Sequence, residues 1–133
     1  MYQLRGKLSI VMPAYNEEAL IYNSIMQTLS IVEQFAPDLE IIAVNDGSKD
    51  KTKQEIERAI RDDAKQPHPV VPGMRVSGTR IKLVTSNKNR GKGNAIISGI
   101  SQAEGDYIAF VDADLELNPA QLEGYLKKMQ ESG

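Results

Sequence analysis

The chain has 133 residues, a formal net charge of −2 and no cysteine. It is long enough for one modest domain with one hydrophobic core, and the missing thiols exclude disulfides and thiolate metal sites and point to a reducing compartment. The balanced charge gives no basic field for nucleic acid, and no apolar run reaches the ~20 residues that cross a bilayer, so a soluble, cytoplasmic chain is expected.

Leu8 to Met12 is an apolar run that predicts a strand ended by Pro13. Asn16 follows at the place of a helix N-cap, with Glu17 and Glu18 in a first turn that favours acids. Leu20, Ile21, Ile25, Met26, Leu29, Val32 and Phe35 then recur at helical spacing up to Pro37. Leu39 to Val44 is a second buried strand, broken by the turn cluster Asn45-Asp46-Gly47-Ser48. A second helix starts near Asp50 or Thr52 and turns Ile56 and Ile60 inward.

Prolines and glycines between Lys65 and Arg80 predict a surface loop, with Val70-Val71 as a short edge element and His68 exposed and without a role. Ile81 to Val84 is the third strand, and Gly91 to Ala103 holds a third helix with Ala95, Ile96, Ile100 and Ala103 inward. Tyr107 to Val111 is a fourth strand, and its unbroken apolar run predicts burial on both faces. The last helix starts at Asn118-Pro119 and carries Leu122, Leu126 and Met129 as its apolar stripe. Strands alternating with helices imply right-handed crossovers and a mostly parallel sheet, an α/β fold in one domain over residues 1–133. In such sheets ligands bind beyond the carboxyl ends of the strands, and four polar clusters fall there.

Asp112-Ala113-Asp114 closes the fourth strand. Residues two apart on extended backbone point the same way, so both carboxylates meet at one place. Their mutual repulsion calls for a hard divalent cation, Mg²⁺ or Mn²⁺, completed by substrate phosphates and water. Glu116, two residues on, either completes the coordination or faces solvent. At the end of the second strand, Asp46 is placed to accept the ring N–H of uracil or guanine; the alternative is a turn that Asp-Gly makes without any ligand. Asn87 to Gly93 is a basic, glycine-punctuated loop opening a helix, and its N–H groups with Arg90 and Lys92 suit phosphate. It has neither the Walker pattern nor the dinucleotide fingerprint. In Pro13-Ala14-Tyr15-Asn16-Glu17, Tyr15 is placed to stack on a base or ribose and Glu17 to bind ribose hydroxyls, or else they pack on the sheet edge and complement the helix dipole.

Taken in this order, Ser9 to Glu17, Val44 to Ser48 with Asp50 and Thr52, Asn89-Arg90-Gly91-Lys92-Gly93 and Asp112-Ala113-Asp114 resemble glycosyltransferase family 2 along essentially the whole chain. Within it the third and fourth motifs look most like enzymes that load a sugar onto a lipid phosphate, of the dolichyl-phosphate glucosyltransferase or polyprenyl-phosphate mannose synthase kind. The resemblance implies a GT-A, Rossmann-like three-layer fold. It implies a nucleoside pocket lined by Pro13, Ala14, Tyr15 and Glu17, a base held by Asp46, and Arg90 and Lys92 near base or diphosphate. Asp112, Asp114 and Glu116 would hold Mg²⁺ or Mn²⁺ against the two phosphates, with Asp114 as the catalytic residue. The expected reaction moves a hexose from a UDP- or GDP-sugar, with inversion, to an acceptor such as a polyprenyl phosphate at the cytoplasmic face of a membrane. Domains of the family usually extend past the position of Gly133, so the chain is expected to carry the nucleotide-binding half only.

Two other readings stay open. One is a nucleotide-sugar-binding module without catalysis. The other is a nucleotidyltransferase, which usually carries a glycine-rich loop with Arg after its first strand, where this chain has Pro13-Ala14-Tyr15.

Overall fold

The computed structural model describes residues 2–69, 78–116 and 118–132. Its elements are β1 (Leu8–Ala14), α1 (Ile21–Val32), β2 (Leu39–Asp46), α2 (Thr52–Ala64), β3 (Ile81–Ser86), α3 (Lys92–Ile100), β4 (Tyr107–Phe110), a 3₁₀ turn (Pro119–Gln121) and α4 (Leu122–Ser132). The four strands form one sheet in the order β3-β2-β1-β4, and every pairing is parallel.

The sheet is packed on both faces, which gives three layers. Leu8, Ile10 and Met12 of β1 point to the same side and join Ile41 and Ala43 of β2 under Ile21, Ile25 and Leu29 of α1 and Ile56 of α2. Leu126 of α4 closes that core. The alternate residues, Val11, Ile42 and Val44, face the other way and pack on Ala95 of α3. This is the period-two alternation of strands whose two faces are both covered.

Strand order reverses between β1 and β4. The chain moves outward from β1 through β2 to β3, then crosses back by α3 to the far side of β1. The crevice of an α/β sheet opens at such a switch point, outside the carboxyl ends of the strands.

Five expectations change. Pro13 does not end β1, because the strand runs on to Ala14 with Pro13 opposite Val44. The Val11 carbonyl faces β4 and accepts from the Val111 N–H at 3.1 Å. Pro13, two residues on, faces the same side, beyond the last β1–β4 pair at Val11 and Phe110, so its missing N–H costs no ladder bond. Asn16 is not a helix cap: it sits at φ 51° and α1 starts only at Ile21, so Glu17 and Glu18 precede the helix. β4 is a sheet edge, and the short α3 leaves Ile108 40% and Phe110 50% exposed instead of buried. Ile100 and Met129, expected to face inward, are exposed at the ends of helices that cover less of the sheet than their sequence patterns imply. His68 is tucked in, its ring Nε2 2.9 Å from the Asp63 carbonyl oxygen. Val70-Val71 lies outside the described residues.

Candidate functional site

Beyond the carboxyl ends of β1, β2 and β4 lies a cleft of about 510 Å³. β1 and the turn after it supply Pro13, Ala14, Tyr15 and Glu17; β2 supplies Asp46; the β3–α3 loop and α3 supply Asn89, Gly91, Lys92 and Ala95; the segment after β4 supplies Asp112, Ala113, Asp114 and Glu116. The structure therefore brings every expected site residue to one wall except Arg90, whose side chain is exposed and outside the lining.

The two turns on the α1 and α2 side are laced together. The Asn16 N–H donates to Ser48 Oγ at 3.0 Å, and Asn16 Oδ1 accepts from the Lys49 N–H at 2.9 Å. The Glu17 N–H donates to Thr52 Oγ1 at 2.8 Å and the Glu18 N–H to Asp50 Oδ2 at 3.2 Å. These bonds explain the left-handed backbone at Asn16, a residue that tolerates it, and hold Tyr15 at the mouth of the cleft. The sequence marks Ser48 as a turn residue and Asp50 and Thr52 as a helix start, but it does not show these bonds, since the partners lie more than thirty positions away.

Asp46 is engaged at both oxygens. Oδ1 accepts from the Arg90 N–H at 2.9 Å and Oδ2 from the Gly91 N–H at 3.0 Å. Gly47, at φ 68°, lets the Lys88–Asn89 backbone pass where any Cβ would overlap it. Thus Asp46 and Gly47 together seat the basic loop over the cleft, and Gly91, at φ 93°, redirects it into α3.

The segment after β4 is a tight turn. The Leu115 N–H donates to the Asp112 carbonyl at 3.0 Å, and the Glu116 N–H to Asp114 Oδ1 at 3.1 Å. Leu115 sits at φ 53°, a strained setting for a side chain without local polar help. Ser24 of α1 donates its hydroxyl to the Ala113 carbonyl from below. Ala113 is consequently buried while Asp112 and Asp114 stay exposed toward the cleft.

Negative charge accumulates here. Burial, then the neighbouring charges of Asp114 and Asp50, push the Glu17 carboxyl above its ordinary value. Lys92 Nζ lies 2.6 Å from Asp112 Oδ1. That hydrogen bond raises the Lys92 ammonium above the usual lysine value; burial opposes it, and the charges of Asp112, Asp114 and Glu116 add to the rise.

Among the described residues no three His, Asp or Glu side chains converge into a ready-made metal cage. Mg²⁺-type sites that carry phosphates do not need one, since one or two carboxylates suffice and substrate oxygens and water complete the shell. Asp112 and Asp114 fit that donor set, and the ammonium against Asp112 shows that the place draws positive charge.

Comparison with known proteins places this architecture. Residues 9–133 match the sequence profile of glycosyl transferase family 2. The chain belongs to that family. It is 34% identical over 125 residues to the undecaprenyl-phosphate 4-deoxy-4-formamido-L-arabinose transferase of Enterobacter sp. (strain 638), covering 94% of this chain and 34% of the relative. The corresponding transferase of Pseudomonas fluorescens (strain SBW25) is 33% identical, covering 86% of this chain and 30% of the relative. The chain spans about a third of the length of these curated relatives. Two solved structures share the fold. A mannosyltransferase of Pyrobaculum calidifontis in complex with GDP-Man and Mn²⁺ superposes with a TM-score of 0.63 at 24% identity, covering 83% of this chain and 28% of that one. S. aureus TarS in complex with UDP gives 0.65 at 24%, covering 94% and 32%. The four-stranded parallel sheet with flanking helices thus matches the N-terminal GT-A region of TarS, the α/β fold shared by these enzymes.

Proposed function

We propose that this chain binds the nucleoside diphosphate of a sugar donor for inverting transfer of the sugar to a polyprenyl phosphate. The observation that carries the reading is convergence: Tyr15, Asp46, Lys92, Asp112 and Asp114, from three strand ends and a helix start, line one cleft at the switch point of the sheet. Tyr15 and Glu17 serve the nucleoside, and Asp46 serves the base while it seats the Arg90–Gly91 backbone. Lys92 and the α3 N-terminus serve the phosphates. Asp112 and Asp114, with Glu116 beside them, would hold Mg²⁺ or Mn²⁺, which when bound neutralises charge growing on the departing diphosphate. Asp114 is the carboxylate assigned the catalytic role. Arg90, outside the lining, reaches the base or diphosphate only by a change of rotamer.

The hexose expected from the sequence meets relatives that by name handle an L-arabinose derivative, a five-carbon sugar. The proposed donor is therefore a nucleotide sugar in which hexose and pentose are both open. A lipid-phosphate acceptor is the better supported of the acceptor classes, since those relatives are named as undecaprenyl-phosphate transferases. It is already anionic at the attacking oxygen, so no general base has to be found among these residues. No helix among the described residues is long and apolar enough to cross a membrane.

Calorimetry with UDP and with GDP, each with and without Mn²⁺, tests the proposal. One of the two should bind with metal-dependent affinity, and Asp112→Ala and Asp114→Ala should each remove the metal dependence. Unchanged affinity in both variants refutes the site. Metal-dependent binding with no sugar transfer to polyprenyl phosphate would favour the binding-module reading.

A further inference from the structure

The Lys92–Asp112 pair contributes little to folding and much to the charge of the cleft. Its side chains are 62% and 48% exposed, and ion pairs that wet contribute little to stability. Lys92 is also the first residue of α3, and its backbone is held in place by the preceding Gly91, whose N–H donates to Asp46 Oδ2 and to Asn89 Oδ1, each at 3.0 Å. A fixed backbone with a long, exposed side chain gives an ammonium that can leave one anion for another over a few ångströms.

We propose that Lys92 is a built-in counter-cation that keeps a divalent ion off Asp112 until a nucleoside diphosphate arrives and draws the ammonium away, so that metal and nucleotide bind cooperatively. The inference rests on the donor-site reading above. With Lys92 on Asp112, one of the two carboxylates that a metal needs is occupied, and an incoming divalent ion is repelled by the ammonium. A unit charge about 4 Å from a divalent ion weakens its binding about thirtyfold even in water, less after salt screening. Diphosphate oxygens reverse both effects. They offer Lys92 a stronger anionic partner, free Asp112, and bring further ligands for the ion. Coupling of this kind is reciprocal, so metal must tighten nucleotide by the factor by which nucleotide tightens metal.

The test titrates Mn²⁺ alone into the full 133-residue chain, following free ion by electron paramagnetic resonance, then repeats it with saturating UDP or GDP. Wild type should bind Mn²⁺ weakly alone and at least about tenfold more tightly with the nucleotide. Lys92→Met should bind Mn²⁺ alone about tenfold more tightly than wild type, with the coupling to nucleotide reduced. Lys92→Arg, which keeps the charge, should bind Mn²⁺ alone as weakly as wild type. If Lys92→Met binds Mn²⁺ alone no better than wild type while nucleotide still tightens wild type, the gate is refuted and the donor site stands. If wild type shows no nucleotide-dependent Mn²⁺ binding at all, the donor-site reading falls, and the gate with it.

Discussion

Asp63 is fully buried, and it neutralises a guanidinium that water barely reaches. Arg80 is 8% exposed and gives Asp63 its backbone N–H at 2.7 Å and its Nη2 at 2.7 Å, while Nη1 goes to Glu33 at 2.8 Å. The Arg80 carbonyl in turn accepts from the Ile41 N–H, which sets β3 beside β2. Burial pushes the Asp63 carboxyl up, but the hydrogen bonds from Arg80 and the charges of Arg80 and His68 outweigh it and hold the group below the ordinary carboxylate value. Removing one partner of a buried pair costs about 3–5 kcal/mol, so Asp63→Ala should cost about 3 kcal/mol in urea unfolding at pH 7, with Glu33 retained as a second partner. Glu33→Gln, at a site one-third exposed, should cost under about 1 kcal/mol. Because the folded value is depressed, the contribution is full above the ordinary carboxylate value of ~3.9 and is lost as pH falls through the folded value. Wild type should therefore converge on Asp63→Ala in acid, and a constant gap between them down to pH 2 would contradict the assignment. None of this was legible in the sequence. Asp63 lies on a helix whose pattern announces only Ile56 and Ile60, and its partner stands 17 residues on, across a proline-rich loop.

Helix α3 is short and packs directly on the sheet at Gly99. A Cβ there would overlap Val11 Cγ1 and come within 3.1 Å of Val44 Cγ2. Both neighbours are β-branched and stiff in a strand, so neither can yield cheaply. Gly99→Ala would gain about 1 kcal/mol of helix propensity, yet it overpacks this contact at a cost of about 1–3 kcal/mol. Thermal unfolding should show a net loss, and since α3 carries Lys92 at its start, nucleotide affinity should fall with it. A rise in stability would mean that the helix can ride up without penalty. The elements themselves were readable, because apolar runs and helical periodicity mark every strand and helix that forms. Their edges were less so. β4 looks doubly buried because Ile108 and Phe110 are apolar, but burial depends on how far α3 reaches, and a nine-residue helix covers β1 and β2 and stops. Asn16 has the composition of a cap, but Ser48 and Lys49 claim it across the cleft floor.

At the scale of the molecule the two ends of the sheet treat acids in opposite ways. At the amino ends of the strands, Glu40 is buried and fully spent: it accepts from Ser9 Oγ and from the Glu104 N–H, each at 2.7 Å, and pairs with Lys82 at 2.9 Å. At the carboxyl ends, Glu17, Asp112, Asp114 and Glu116 gather, with the Lys92 ammonium against Asp112. The convergence was legible because parallel alternation alone puts every strand end on one edge. The engagement of Asp46 by the loop backbone was not, since it depends on how Gly47 lets that loop approach. With a net charge of only −2, the chain has no long-range field to draw in a ligand, so binding must come from these local groups. A ligand that bridges β1, β2, α3 and the turn after β4 adds to the sheet pairing, the Asp46 bonds and the Lys92–Asp112 pair that already join these elements. At a hundredfold excess over Kd, such binding stabilises the folded chain by about 2.7 kcal/mol, or about 10 °C in Tm for a domain of this size. UDP or GDP with Mn²⁺ should produce that shift, chelation of the metal should remove most of it, and uridine or guanosine without phosphates should give almost none. Equal stabilisation by the bare nucleoside would show that base and ribose contacts, and not the gathered carboxylates and Lys92, carry the affinity of the cleft.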